Sequence, residues 1–340
     1  MDSGSNQKQS DLTAAAGPPL SVIVPVRNEH DNIGPCLERL GAALRTMNHE
    51  ILVVYDHPDD TTLAAIDRIV PKPTAVRLVQ NTLGPSPSFA IRAGIAAAQG
   101  DVVVITMADL SDPPEAILEM ARAIRGGADV VSGSRYMRGG SQTGGPALKT
   151  LLSRAAGLSL AWVAGIGTHD ATTSFRAFSR RFVDRVPLAS RTGFTFGIEA
   201  TVKAHQMGFV VGEVPSSWAD RTAGQSNFRV AKWLGAYLRW YLAAMVVPLA
   251  IWGAWFLHVA LAAMLVDPPN AVLATPVASL GLILGARRIR RRMSPLDMII
   301  PLVLLYPIAD PRVATPIGWF IAGATSALPV VLAWFARRGP

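Results

Sequence analysis

Apolar and polar positions alternate in blocks along the first two-thirds of the chain, and these blocks predict a succession of strands and helices. The mostly apolar runs Leu20–Val26 and Glu50–Tyr55 predict buried strands, and Asn32–Leu44 has the spacing of an amphipathic helix. The alternation continues through further predicted strands (75–79, 101–106, 129–132) and helices (63–69, 88–98, 113–124). This order predicts an α/β fold whose mainly parallel sheet is covered by helices on both faces.

The pattern changes after residue 240, where long apolar segments replace the alternation. Since a membrane-spanning helix needs roughly 20 apolar residues, the segments predict an α-helical transmembrane anchor. The four segments are Tyr241–Val266, Ala271–Ala286, Met298–Ala309 and Ala314–Ala336. Four crossings fit best, and the short third segment leaves a re-entrant or two-crossing arrangement open. The arginines at 287–292 and 337–338 place the N-terminal domain in the cytoplasm by the positive-inside tendency.

These changes divide the chain into four predicted regions. Residues 1–19 are polar, contain no signal-peptide core and predict a disordered tail, and residues 20–227 form the globular domain. Residues 228–240 carry basic and apolar side chains on different helical faces, which predicts an interfacial helix with Tyr237 at the depth of the lipid headgroups. An ordinary surface helix is the alternative. Residues 241–340 form the membrane region.

Composition narrows the range of possible binding partners and cell compartments. The net charge of +8 suits an anionic membrane face or a phosphate-bearing substrate. No stripe of basic residues interleaved with aromatic ones occurs in the globular part, which argues against nucleic acid as a partner. Cys36 is the only cysteine, so no internal disulfide forms and the domain suits a reducing compartment.

Several enzyme classes lack their sequence signatures here. The chain has no GxSxG turn, no HExxH or comparable zinc spacing, no P-loop, and no GxGxxG after the first strand. What stands out instead is a set of carboxylates after predicted strands. Ligands of such sheets bind beyond the carboxyl ends of the strands, where Asp56 and Asp109 both lie. Asp112 precedes a proline and lies three residues before Glu115, so it is predicted to cap the next helix.

Seven stretches in order resemble the inverting GT-A glycosyltransferases that act on polyprenyl phosphates, a group that includes dolichyl-phosphate mannosyltransferases. They are "SVIVPVRNEHDNI", "ILVVYDHPDD", "VVVITMADLSDPPE", "VVSGSRY", "DATTSFRAF", "GFTFGIEATVKAHQMGFVVGEVPSSWADRTAGQSNF" and the membrane tail. The resemblance covers nearly the whole globular domain. It implies a Rossmann-like GT-A catalytic domain.

The resemblance also implies roles for individual residues. Donor-binding residues would be Pro25, Arg27, Glu29, Asp56, Asp109 and Ser111, with Asp56 near the base and Asp109 also holding Mg2+ or Mn2+. Residues close to the transfer itself would be Asp109, Arg135, Asp170, Arg176 and Arg221, with Asp170 orienting Arg176 or the acceptor. The acceptor phosphate would meet Arg135, Arg221 and Ser226.

Some positions depart from the family pattern. Met107 stands where the family has the first aspartate of Asp-x-Asp, and Tyr55 stands in place of the first of two paired aspartates. Ser174 replaces a glycine and Asn227 replaces a lysine. These departures bear on metal affinity and on the identity of the donor.

The resulting prediction is an enzyme that transfers a sugar from a GDP- or UDP-linked donor to a polyprenyl or dolichyl phosphate at the cytoplasmic membrane face, with inversion. A processive membrane polysaccharide synthase or another lipid glycosyltransferase is an alternative, although the position of the synthase's QxxRW signature reads "AYLRW" here. A non-catalytic membrane scaffold with a degenerate transferase domain is another, motivated by Met107. Self-association into a homo-oligomer stays open.

Overall fold

A computed structural model of the chain describes residues 20–69, 75–191, 193–220, 234–246 and 248–249. The predicted tail, the start of the predicted interfacial helix and nearly all of the predicted membrane region lie outside these residues. Within the described residues, no helix has both the length and the apolar character needed to cross a membrane. The chain divides into two compact units, and the account below concerns the first, residues 1–162 and 166–243. The domain boundaries given above stay predictions.

Nine strands lie in the described part of this unit. They are β1 (Leu20–Val26), β2 (His49–Tyr55), β3 (Val76–Gln80), β4 (Val102–Ile105), β5 (Val130–Ser134), β6 (Ser141–Thr143), β7 (Arg176–Ser179), β8 (Val211–Pro215) and β9 (Ser217–Ala219).

Seven helices accompany the strands. They are α1 (Ile33–Leu44), α2 (Thr61–Asp67), α3 (Pro87–Ala97), α4 (Ala116–Arg125), α5 (Ala147–Trp162), α6 (Arg180–Arg185) and α7 (Phe196–Gln206). Residues 234–246 are also helical.

The main sheet has the strand order β3-β2-β1-β4-β7-β5-β8. All neighbouring pairs are parallel except those of β7, which runs antiparallel to both β4 and β5. A mainly parallel sheet is therefore confirmed, with one central reversed strand that the strand–helix alternation did not predict. A second, two-stranded sheet pairs β6 with β9.

The core has two layers because successive strand residues point to opposite faces of the sheet. Val22 and Val24 pack into one layer with α1 and α4, whereas Ile23 packs into the other with α3. The second layer also receives Phe182 and Phe196 from α6 and α7. Burial on both faces explains why the strands read as continuous apolar runs.

Candidate functional site

The carboxyl ends of β1, β2 and β4 form one edge of the sheet. Val26 pairs with Tyr55 at the end of β1 and β2, and Ile23 pairs with Ile105 at the end of β4. The loops that follow these strands therefore leave the sheet on the same side. As predicted, they bring Asp56 and Asp109 to one edge.

The loop after β1 is held by the first turn of α2. Asp60 Oδ1 accepts hydrogen bonds from Asn28 N (3.0 Å) and from Thr62 N (2.9 Å), so one carboxylate caps the helix and fixes the loop. Glu29 N donates to Thr62 Oγ1 at 2.9 Å. Asn28 has a φ of 57°, a conformation that asparagine tolerates better than most residues. Arg27 is thereby left exposed at the edge.

The other predicted donor-binding residues of this loop are less free. Pro25 is half-buried within β1. The Glu29 carboxylate accepts a hydrogen bond from Asn32 Nδ2 at 2.7 Å. Pro25 and Glu29 thus shape the loop, and Arg27 is one of the side chains that it presents to solvent.

Asp56 follows β2 and has a partner that the sequence did not reveal. Asn81 Nδ2 donates to Asp56 Oδ1 at 2.7 Å. Asn81 follows β3, the strand paired with β2, so the two residues are neighbours only through the register of the sheet. No sequence signal close to Asp56 could have identified Asn81.

Asp109 shapes a tight turn after β4. Its Oδ1 accepts a hydrogen bond from Ser111 N at 3.2 Å, and the intervening Leu110 has a φ of 62°. Ser111 is buried, and among the described residues its hydroxyl has no hydrogen-bond partner. Its carbonyl oxygen accepts from Ala219 N at 3.1 Å, which ties β9 to the Asp109 turn.

The prediction that Asp112 caps a helix at Pro113 is wrong. Helix α4 begins at Ala116, and its N-cap position, Glu115, makes no side-chain capping bond. The amide of Ala116 donates instead to the carbonyl oxygen of Pro113. Burial, reinforced by the negative charge of Asp109 and opposed by that of Arg135, raises the pKa of Asp112 to about 7.

Arg135 and Asp170 form a buried ion pair. Arg135 Nε lies 2.7 Å from Asp170 Oδ2, and Arg135 Nη2 lies 2.9 Å from Asp170 Oδ1. The Arg135 side chain is 12 % exposed and that of Asp170 is 0 % exposed. Although burial alone would lower the pKa of Arg135, the charge of Asp170 and its hydrogen bond raise it. The Asp170 carboxylate thus orients Arg135, while the Asp170 carbonyl oxygen accepts a hydrogen bond from Arg176 Nη2 at 3.3 Å.

Helix α5 also contacts the guanidinium of Arg135. Arg135 Nη2 donates to Ser153 Oγ at 3.1 Å, and Ser153 Oγ lies 2.5 Å from Thr172 Oγ1. Gly157 faces the loop that carries Asp170, since a Cβ at that position would collide with the carbonyl oxygen of His169. The Nε and Nη2 atoms of Arg135 are thus held by hydrogen bonds within the chain.

Arg176 does not reach the surface. Its side chain is fully buried, between β4 and β5, and it donates to Thr201 Oγ1 and to the carbonyl oxygens of Ala171 (3.2 Å) and Thr173 (3.1 Å). Burial lowers its pKa to about 10, although the charge of Asp170 opposes the shift. The resemblance put Arg176 close to the transfer itself, but a fully buried guanidinium cannot contact a substrate. Arg176 instead holds the loop around Asp170.

Two further features border this cluster. Tyr237, assigned to the lipid headgroups from the sequence, is acted on by the charges of Arg135, Arg176 and Asp170, and burial raises the pKa of its phenol. His169 Nδ1 lies 2.5 Å from Glu213 Oε1, so His169 pairs with a carboxylate of strand β8. Neither the surroundings of Tyr237 nor the partner of His169 could be deduced from local sequence.

The last predicted positions of the site are Arg221, Ser226 and Met107. Arg221 and Ser226 lie outside the described residues. Met107 is a partly buried side chain packed against the second core layer.

In the described part of the chain, no group of three or more His, Cys, Asp or Glu side chains is arranged to hold a metal ion. The carboxylates of Asp109 and Asp112 lie close enough for the charge of Asp109 to raise the pKa of Asp112, and a Mg2+ site can use one or two carboxylates and complete its shell with phosphates and water.

Comparison with known proteins gives matches in sequence. Residues 21–186 match the model of Glycosyl transferase family 2. A dolichol-phosphate mannosyltransferase of Pyrococcus furiosus is 33% identical over 224 residues, which cover 65% of this chain and 62% of that protein. A polyprenol monophosphomannose synthase of Mycolicibacterium smegmatis is 32% identical over 228 residues, which cover 62% of this chain and 85% of that protein. The match thus spans less than two-thirds of the Pyrococcus protein.

A solved structure is similar in fold. Glucosyl-3-phosphoglycerate synthase from Mycobacterium tuberculosis, in complex with Mn2+, UDP-glucose and phosphoglyceric acid, aligns with a TM-score of 0.50 and 21% identity. The alignment covers 69% of this chain and 81% of that structure. At this identity the likeness concerns the fold, and it supports a GT-A-like architecture.

Proposed function

The chain belongs to Glycosyl transferase family 2, and on this premise we propose that it transfers a sugar from a nucleotide diphosphate sugar to a polyprenyl phosphate. The observation that carries the proposal is the hydrogen bond of 3.1 Å between Ala219 N and Ser111 O. It fixes the segment that leads into Arg221 beside the turn of Asp109. The proposal puts the acceptor-binding residues that follow Asp220 at this same edge of the sheet, beside the donor site.

The donor side is formed by the loops after β1, β2 and β4. Asp56 faces the base, Arg27 is an exposed cation for the diphosphate, and Asp109 lies where the sugar-bearing phosphate would enter. Asp109 and Asp112 would hold Mg2+ or Mn2+ here. The cation, when bound, neutralises the charge that develops on the departing nucleoside diphosphate. It would also relieve the repulsion between the two carboxylates.

The acceptor supplies the nucleophile. A phosphate oxygen attacks the anomeric carbon, the bond from that carbon to the diphosphate oxygen breaks, and the configuration inverts. The phosphate is already ionised, so no strong general base is required. Because Arg135 is paired with Asp170, the proposal assigns the acceptor phosphate to Arg221 and Ser226.

A membrane location on the cytoplasmic face is part of the proposal. Helix α5 carries exposed apolar side chains on one side, with Leu148 65% and Leu151 64% exposed, and its sequence contains Lys149 and Arg154 but no acidic residue. Ser159 Oγ of α5 lies 3.0 Å from the Tyr241 hydroxyl, next to the point where the apolar segments begin. These features suit contact with an anionic lipid surface.

Transfer of a radiolabelled sugar from a water-soluble nucleotide sugar to an extractable lipid tests the proposal. Purified full-length protein in detergent is incubated with polyprenyl phosphate, Mg2+ and radiolabelled GDP-mannose, with other GDP- and UDP-sugars as parallel donors. We expect one donor to label the lipid, and Asp109→Asn to abolish the labelling without changing the melting temperature. If every donor left the lipid unlabelled, or if Asp109→Asn were as active as the wild type, the proposal would be wrong.

A further inference from the structure

Asn81 has every polar hydrogen of its side chain engaged. One Nδ2 hydrogen bond goes to Asp56 Oδ1 at 2.7 Å and the other to the carbonyl oxygen of Gly84 at 2.8 Å. The amide oxygen accepts from Leu83 N at 2.9 Å. The side chain has one orientation only, since a flipped amide would set its oxygen against a carboxylate and a carbonyl. The residue is 4% exposed, so water does not compete for these bonds.

The backbone of Asn81 is fixed as well. Its amide donates to the carbonyl oxygen of Tyr55 at 2.8 Å, which extends the β2–β3 pairing by one residue and sets Asn81 beside Asp56. Gly84 has a φ of 112°, a conformation that glycine adopts without strain and other residues rarely do. The turn from Asn81 to Gly84 is therefore closed by the same side chain that holds the carboxylate.

This arrangement leaves one side of the Asp56 carboxylate available. Among the described residues, Asp56 Oδ2 receives no hydrogen bond, while Oδ1 is held by Asn81. A carboxylate only accepts hydrogen bonds, so its ligand must be a donor. A nucleobase with a ring N–H, either uracil at N3 or guanine at N1, has that chemistry.

We propose that Asn81 is a positioning residue that fixes the Asp56 carboxylate so that Oδ2 accepts the ring N–H of the donor nucleobase. The inference rests on the proposed function for the identity of the ligand as a nucleotide. It adds that base recognition depends on a residue that does not itself touch the base. The orienting bond is charge-assisted, which makes it stronger than one between neutral groups.

Calorimetric titration of the full-length protein in detergent tests this role. The probes are GDP, UDP and pyrophosphate, each at the same Mg2+ concentration. We expect Asn81→Leu to weaken the preferred nucleoside diphosphate about tenfold, which is the effect of losing one well-oriented hydrogen bond to a charged group. Pyrophosphate affinity should stay within about twofold, because pyrophosphate has no base. Gln80→Leu, at an exposed neighbouring position, should change neither.

Two further variants separate positioning from general disruption. Asn81→Asp keeps the shape and the acceptor for Leu83 N but replaces the donor to Asp56 with a second acceptor, so it should weaken nucleotide binding more than Asn81→Leu does. Adding Asn81→Leu to Asp56→Asn should cause little extra loss, because residues acting through one contact are not additive.

Equal weakening of pyrophosphate and nucleotide, or fully additive losses in the double variant, would overturn the inference. Nucleotide binding that follows the prediction in a protein that never labels lipid would count against the proposed function alone. Lipid labelling that persists while Asn81→Leu leaves nucleotide affinity unchanged would count against the role of Asn81 alone.

Discussion

The ion pair between Arg135 and Asp170 predicts a large stability effect for Asp170→Asn. Two hydrogen bonds of 2.7 and 2.9 Å join side chains that are 12 % and 0 % exposed. Asparagine keeps the size of the side chain but leaves the arginine charge buried without its counter-charge. Removing one partner of a buried ion pair typically costs about 3–5 kcal/mol. For a domain of this size that corresponds to a fall in melting temperature of roughly 6–20 °C.

Thermal unfolding of the full-length protein, followed by intrinsic fluorescence in one detergent, measures the effect. The matched control is Asp184→Asn, which removes the acidic partner of Arg180 at 3.7 Å in a pair where Asp184 is 58% exposed. Such a surface pair contributes about 0–1 kcal/mol, so the control should melt close to the wild type. If Asp170→Asn also melted within about 2 °C of the wild type, the pair would not act as a buried ion pair. Arg135 would then be a candidate for phosphate binding again.

Two further predictions concern α5 and Asp112. Gly157→Ala should destabilise the protein by about 1–3 kcal/mol and reduce sugar transfer, because the added methyl group collides with the loop that carries Asp170. The control Gly34→Ala has open space around the added methyl group and should stabilise the protein by roughly 0.5–1 kcal/mol. Equal melting temperatures of the two variants would contradict this. The pKa of Asp112 is raised to about 7 in the folded protein, so burial of this carboxyl costs no stability below the ordinary pKa of aspartate, becomes destabilising as the pH rises from there to about 7, and costs a constant amount above that. Asp112→Asn should therefore be more stable than the wild type by about 1–3 kcal/mol at pH 8 in EDTA and equally stable near pH 4. Mg2+ should remove the difference at pH 8. A difference in melting temperature that did not change with pH would refute the raised pKa of Asp112.

Much of the fold could be predicted because burial on both faces of the sheet leaves a direct trace in the sequence. Strands such as β1 and β4 contain almost no polar position, and α1 shows its apolar face at helical spacing. The reversed strand β7 was not predicted from the alternation, since its direction depends on its neighbours and not on its own residues. Parallel strand ends were sufficient to predict that Asp56 and Asp109 lie at the same edge of the sheet.

The rest of the site depends on contacts between distant segments. Asn81 reaches Asp56 through strand register, and Asp170 reaches Arg135 across 35 positions in the sequence. The capping pattern around Asp112 was misleading because the carbonyl oxygen of Pro113 accepts the hydrogen bond from the amide of Ala116 that begins α4. Local patterns identify residue types that suit a role, while tertiary contacts decide which residue performs it.

The most direct test of the central claim is the stoichiometry and configuration of the product. The full-length protein is incubated with the donor that labels lipid and with polyprenyl phosphate, and the products are followed by mass spectrometry and NMR. The account predicts one nucleoside diphosphate released for each lipid phosphate that gains a single sugar, with the anomeric configuration inverted relative to the donor. Release of nucleoside diphosphate with free sugar, growth of a sugar polymer, or a retained configuration would contradict it.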